Sequence, residues 1–255
     1  MTRLVNAEFQ KLLSTRLWCW MLLATVAWTT GYTALAITLD GRPGGIAPAL
    51  SSPAGQHALF AIGAGGAGPL VAVLAVAGVA GEYRHRTAAT TFLVTPRRGR
   101  VTAAKVITYS LAGAGYALAC VAVSLAVALP WLSARGIEVP PTGNGNLVVL
   151  AAIVVSAAIF GVAGAGLGAM LRSEVVTIGG LLFYLYIAEP LLSHVAALHG
   201  WTTYLPGVAA DGLTQAAQAG VRLLPPWGAG AVFAAWGLVF AAAGTAVTVR
   251  RDLTG

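Results

Sequence analysis

Six residues in one short polar segment carry the groups best suited to chemistry in this chain: Glu82, Tyr83, Arg84, Arg86, Thr87 and Thr90. From Gly81 to Val94 the segment can form a helix, which Pro96 would end because proline has no N–H to donate. Tyr83, Thr87, Thr90 and Val94 recur at i, i+4, i+7 and i+11, giving one nearly continuous stripe. Glu82 and Arg86 stand beside it as an i, i+4 pair of opposite charge. A carboxylate, a phenol, hydroxyls and guanidiniums at this spacing suit recognition of a soluble partner through ion pairs and hydrogen bonds. The alternative is a solvated loop that only sets orientation. Such a loop needs basic residues, but neither an ordered Tyr/Thr stripe nor a glutamate. Arg97, Arg98, Arg100 and Lys105 follow. With Lys11 and Arg16 they match the anionic inner leaflet of a membrane.

Glu189, in FYLYIAEPLL, is the other candidate. On a helix starting at Val175 it lies about 21 Å along the axis, at about 1.5 Å per residue. That places it in the outer half of an apolar span. Two readings stand: an interfacial carboxylate, or a polar group lining an exit path with Tyr184 and Tyr186. Catalytic signatures are missing. The sequence contains no GxxxxGK[ST], HExxH or GxSxG, and His57, His85, His194 and His199 are scattered. Cys19 and Cys120 fall at different depths of their spans and read as packing residues. Neither catalysis nor a metal or other cofactor is expected of this chain.

The elements that position these groups follow from composition. The chain has 255 residues, of which 58% are hydrophobic and only 9% charged. A bilayer core about 30 Å thick takes about 20 apolar residues per helix. Six stretches qualify, at roughly 17–39, 58–80, 106–132, 147–171, 175–195 and 229–249. Without period-2 alternation they read as helices, so the expected fold is an all-α integral membrane protein. The loop 81–105 should be solvated. Of 15 Lys and Arg, 12 fall on the side of that loop and 3 (Arg42, Arg135, Arg222) on the other. The positive-inside rule then places both termini, including the tail 250–255, in the cytoplasm. The net charge of +7 reflects orientation rather than nucleic-acid binding.

Residues 1–16 read as an interfacial amphipathic helix, with Val5, Phe9, Leu12 and Leu13 on its apolar face and Trp18 and Trp20 as anchors. Ala34-Leu35-Ala36 looks like a signal cleavage site, but the apolar run before it is too long for a signal core, so an uncleaved span is expected. On the outer side, 199–227 is too polar to span and reads as short re-entrant helices. Gly161, Gly164 and Gly168 in the fourth span allow close helix approach. Packing within one subunit and packing between subunits are both open on sequence grounds.

The chain resembles the membrane (permease) subunit of type-2 ATP-binding-cassette exporters. The likeness covers nearly its whole length, in EFQKLLSTRLWCW, GEYRHRTAATTFLVTPRRGRVTAAK, YLPGVAADGLT and RRDLT, taken in that order. Each motif alone is loose, and their order and spacing carry the resemblance. It implies a coupling helix in the loop after span two, with Glu82, Tyr83, Arg84 and Thr87 on its docking surface. It also implies a separate ABC-type ATP-binding subunit that carries the ATP and Mg. The membrane dimer would be completed by a second copy or a related permease, in the lipids of the plasma membrane. The expected function is export of a hydrophobic or amphipathic compound such as a drug, antibiotic or lipid. The alternative is a membrane anchor or sensor that recruits a soluble regulatory protein through 81–105. An ion-driven carrier is disfavoured by the scarcity of charge within the spans.

Overall fold

The computed structural model describes residues 1–42, 48–84, 98–193, 195, 200–216 and 222–250. Among these there is no β-strand. A first helix, α1 (Thr2–Ser14), precedes six helical segments long and apolar enough to cross a membrane, so the chain is a multi-pass membrane protein. Span one is α2 (Leu17–Thr38), and span two is α3 (Pro53–Gly63) with α4 (Ala67–Arg84). Spans three and four are α5 (Arg98–Ser133) and α6 (Asn146–Leu171). Span five is α7 (Glu174–Phe183), continued by a π-helix (Tyr184–Ala188) and α8 (Glu189–Ser193). A 3₁₀ turn (Thr202–Tyr204) and α9 (Pro206–Thr214) come before span six, α10 (Pro226–Arg250).

Two boundaries differ from the sequence expectation. Span two was expected as one run over 58–80, but it starts at Pro53 and breaks between Gly63 and Ala67. Pro69 lacks an N–H, and its ring cannot tolerate the helical position of the Gly65 carbonyl. Gly63, Gly65 and Gly66 weaken the same turn further. The earlier start has its own cause: the Ser52 hydroxyl accepts the Gly55 N–H at 3.1 Å, and Pro53 occupies the first helical turn. Span three begins at Arg98 rather than near 106, so the last eight residues of the supposedly solvated loop 81–105 are helical. Val101, Thr102, Ala104 and Lys105 point inward there.

Helix α6 is the centre of the bundle, and its glycines explain why. A Cβ on Gly161 would collide with the backbone of Tyr109 in α5, and one on Gly164 with the Ala72 carbonyl in α4. One on Gly166 would meet the Phe240 backbone in α10, and Gly168 faces Val76 and Val79 of α4. Small residues therefore let three neighbours approach α6 at backbone distance, as lipid-embedded helices require when no hydrophobic effect drives them together. These glycines pack within one subunit. The periphery lies elsewhere: 72% of the span-two window is buried, against 28% in span one, 11% in span five and 22% in span six. Spans one, five and six therefore present the outer surface.

The end of the bundle carrying α9 is closed by side chains. Asn146 Nδ2 donates to Gln56 Oε1 at 2.9 Å, Gln56 Nε2 donates to the Glu138 carbonyl at 3.0 Å, and the His57 ring pairs with the Asn144 carbonyl at 2.7 Å. The helix α9 buries Ala209, Ala210 and Leu213 against Phe160, Ala229 and Phe233. The helix expected inside 199–227 is therefore a packed element.

Gly164→Ala should cost about 1–3 kcal/mol, the usual range for overpacking, and Gly164→Leu should leave no monodisperse protein in detergent. Gly179→Leu is the control, because a Cβ there meets no atom within 4 Å. Size-exclusion profiles and thermal unfolding of the three variants check this.

Candidate functional site

Several of the charged residues singled out in the sequence meet at one end of the bundle, joined by Glu8. Helix α1 brings Glu8 and Lys11, the last turn of α4 brings Glu82, Tyr83 and Arg84, and the first turns of α5 bring Arg98 and Lys105. Lys105 Nζ donates to Glu8 Oε2 at 2.7 Å and to Glu82 Oε1 at 2.6 Å. Lys11 Nζ donates to the same two carboxylates, at 2.8 Å to Glu8 Oε1 and 3.1 Å to Glu82 Oε1. The charges balance, two against two. Lys105 is only 6% exposed and Glu8 7%, so this is a buried node with one half-exposed corner at Lys11.

This corrects the reading of Lys105 as a leaflet-facing charge, while Lys11 stays exposed on one side. Burial forces Lys105 to find partners, because an unpaired ammonium in a low-dielectric interior costs several kcal/mol. On α1, Glu8 and Leu12 turn inward, Val5 and Phe9 are partly buried, and Leu13 is exposed. Glu8 was missed by the sequence reading. Its signal was present, since it is the only acidic residue of α1 and stands three positions before Lys11.

A second set of contacts surrounds the node. Arg84 Nη1 pairs with Glu174 Oε2 at the start of α7, at 3.1 Å. The Tyr83 hydroxyl lies 3.4 Å from Thr248 Oγ1 in α10, and the Arg172 guanidinium sits 4.9 Å above the Tyr83 ring. Arg98 Nη1 donates to the Thr248 carbonyl at 3.4 Å, and Arg172 Nη2 to the Val247 carbonyl at 3.2 Å. Arg172 holds its place from a left-handed backbone conformation, φ 56°, at the C-terminal cap of α6. Glu174 and Arg172 were not singled out from sequence. Arg16 and Arg100 are exposed. Arg86, Thr87, Thr90 and Arg97 lie outside the described residues, as does the rest of the Tyr/Thr stripe beyond Tyr83. Arg86, the partner expected for Glu82, is among these residues; the Glu82 carboxylate is engaged by Lys11 and Lys105.

Beside the node is a cleft of about 590 Å³, lined by Glu8, Lys11, Gly78, Glu82, Tyr109 and Glu174 among others. Gly78 has no alternative there, because a Cβ would occupy the position of the Tyr109 hydroxyl. Burial alone would depress the Lys11 ammonium, but the Glu8 hydrogen bond and the Glu82 charge outweigh it and hold Lys11 above the usual lysine range. Among the described residues no group of three or more His, Cys, Asp or Glu could hold a metal. What the arrangement supplies is an electrostatic clasp that ties α1 to the ends of spans two and three.

Of the three residues proposed for an exit path, Tyr184 and Tyr186 line different pockets. Glu189 is 3% exposed. Its Oε1 accepts the Val208 N–H at 2.6 Å, capping the start of α9. Tyr184 and the Gly207 N–H approach the carboxylate as weaker donors, and Oε2 has no partner at full hydrogen-bonding geometry. Gly207 allows this approach, since a Cβ would stand 2.6 Å from Oε2. Tyr186 points outward, 64% exposed, while Tyr184 lines an apolar pocket on the other side of the span. Glu189 is therefore a buried anchor for α9.

No protein-family model matches the chain, and no curated protein matches it.

Lys105→Met strands two carboxylates against one half-exposed lysine and should destabilise the fold by about 3–5 kcal/mol, the range for breaking a buried pair. Glu8→Gln with Lys105→Met should recover part of that loss. Thermal unfolding in nanodiscs reads both. Because the folded Lys11 is raised above its unfolded value, its contribution is complete below about pH 10.4 and fades as pH rises through the folded value. Protease cleavage between α1 and α2 should therefore stay slow through neutral pH and accelerate only in alkali.

Proposed function

We propose that this chain is the permease subunit of an ABC-type exporter, driven by ATP hydrolysed on a separate nucleotide-binding subunit. The observation that carries the reading is the anchoring on both sides of residues 85–97. On one side, Glu82, Tyr83 and Arg84 are tied to α1, α5, α7 and α10. On the other, Arg98 and Lys105 are tied to α10, α1 and α4. A push delivered to 85–97 therefore reaches spans two, three, five and six and α1 together. That is what an input port for work done by a soluble partner requires.

The remainder of the reading follows the resemblance. Both termini and this charged end face the cytoplasm, in keeping with the 12 to 3 division of basic residues in the sequence. The sequence carries no phosphate-binding loop, so ATP binding falls to the partner. Arg86, Thr87 and Thr90 complete the docking surface in this reading. A second permease, a copy or a relative, packs against it, and the cargo is a hydrophobic or amphipathic compound leaving the plasma membrane.

Purification from native membranes should bring down a nucleotide-binding ATPase, and vesicles holding both proteins should move an amphipathic dye only with ATP. Thr87→Trp should lower that transport at least about tenfold, equivalent to about 1.4 kcal/mol of coupling, while thermal stability stays unchanged. Co-purification of a kinase or other regulator in place of an ATPase would instead support the anchor reading.

A further inference from the structure

We infer that each subunit holds a binding site for a small, neutral, aromatic or polycyclic hydrocarbon-like molecule, in the pocket between spans four, five and six. The pocket measures about 260 Å³. It is built mainly by Phe160 from α6, Leu181 and Tyr184 from span five, and Phe233, Trp236 and Phe240 from α10. Phe160 and Phe233 meet edge to face at 4.9 Å, and Trp236 stacks on Phe240 at 5.6 Å. Rings arranged in this way offer both faces and edges to an aromatic guest.

The chemical class of the ligand follows from where the polar atoms point. None of the described lining residues is charged. Thr177 donates its hydroxyl to the Ser173 carbonyl at 2.5 Å, and Trp236 donates its indole N–H to the Tyr204 carbonyl at 2.9 Å. The Tyr184 hydroxyl is directed to the Glu189 carboxylate. Every polar side chain on the wall is thus turned to a partner inside the protein. A ligand with a buried amine, carboxylate or amide would leave those groups without a partner, at a large desolvation cost. The volume sets the size, since it falls just below the roughly 300–1,000 Å³ of drug-sized sites.

Two features mark the pocket as more than a packing gap. Tyr184 and Leu185 on its wall belong to the π-helix of span five, and such single-turn insertions concentrate at functional sites. Gly180 lines the pocket on an exposed face of α7, and a Cβ there meets no atom within 4 Å. The site is therefore reachable from the bilayer, where a hydrocarbon-like compound partitions. Glu189 connects the site to the outer end. Its carboxylate interacts with Tyr184 on the wall and with the start of α9, whose Pro206 also lines the pocket.

The inference deepens the export reading by naming a cargo class, but it is tested without ATP or any partner, so failure of either is seen separately. The probe is iodophenyl trifluoromethyl-diazirine, photoactivated on the purified protein in nanodiscs, with adducts mapped by mass spectrometry. Wild type should show saturable adducts on Phe160, Trp236 or Phe240, displaced by excess naphthalene. Labelling of Trp20 and Leu23 on the exposed face of α2 should instead rise linearly with probe. Gly180→Leu should abolish the saturable set with thermal stability unchanged. Should that variant not fold, Phe240→Leu should raise the half-saturating probe concentration roughly two- to tenfold. Linear, undisplaceable labelling of the pocket residues in wild type, or saturable labelling unaltered in both variants, would overturn the inference and leave the pocket to lipid acyl chains.

Discussion

Lys105 is the charge on which the arrangement at this end of the protein depends. It sits at the start of a helix 36 residues long, in an apolar chain, with almost no contact with solvent. Such an ammonium is tolerated only where carboxylates reach it. Glu8 and Glu82 are the two that do, and they come from sequence positions 97 and 23 residues away. Satisfying one cation therefore places α1 across the ends of spans two and three. Lys11 follows, neutralising the second charge that two carboxylates around one lysine would leave uncompensated.

The rest of the bundle has to supply rigidity behind that node. In lipid the apolar effect that compacts soluble proteins is missing, so the helices hold together through close contact and hydrogen bonds. The α6 glycines provide the contact, with α4, α5 and α10 approaching at backbone distance. Inside the spans, Thr29 donates to the Gly63 carbonyl at 3.2 Å, and Thr33 pairs with Ser124 at 3.3 Å. The ends of α4 and α5 thus lead directly into a tightly packed core. Spans one, five and six are less enclosed and form the periphery. The π-helix and the aromatic pocket both lie at that boundary.

Much of this was legible in the residues. Six spans could be read from apolar length alone, because a bilayer imposes a minimum that few other structures need. The break in span two was also written in Gly63, Gly65, Gly66 and Pro69, although the run reads as continuous by hydropathy. The charged cluster around 81–105 stood out against the apolar background. Its internal division did not. Arg100 faces solvent while Lys105, five residues on, is enclosed, and nothing in RGRVTAAK distinguishes a basic residue with a buried partner from one without.

What the sequence determined by itself was the number of spans, the uneven distribution of basic charge and the absence of catalytic motifs, because these depend on local composition and on the thickness of a membrane. Only the tertiary structure decided which charges are paired and what the glycines face. Glu8, Glu82 and Lys105 are distant along the chain, and their energies depend on burial that arises when the helices assemble. The same holds for Glu189, whose carboxylate meets the start of α9 only because span five and α9 pack together. Local pattern sets elements; contact across the bundle sets the work each side chain does.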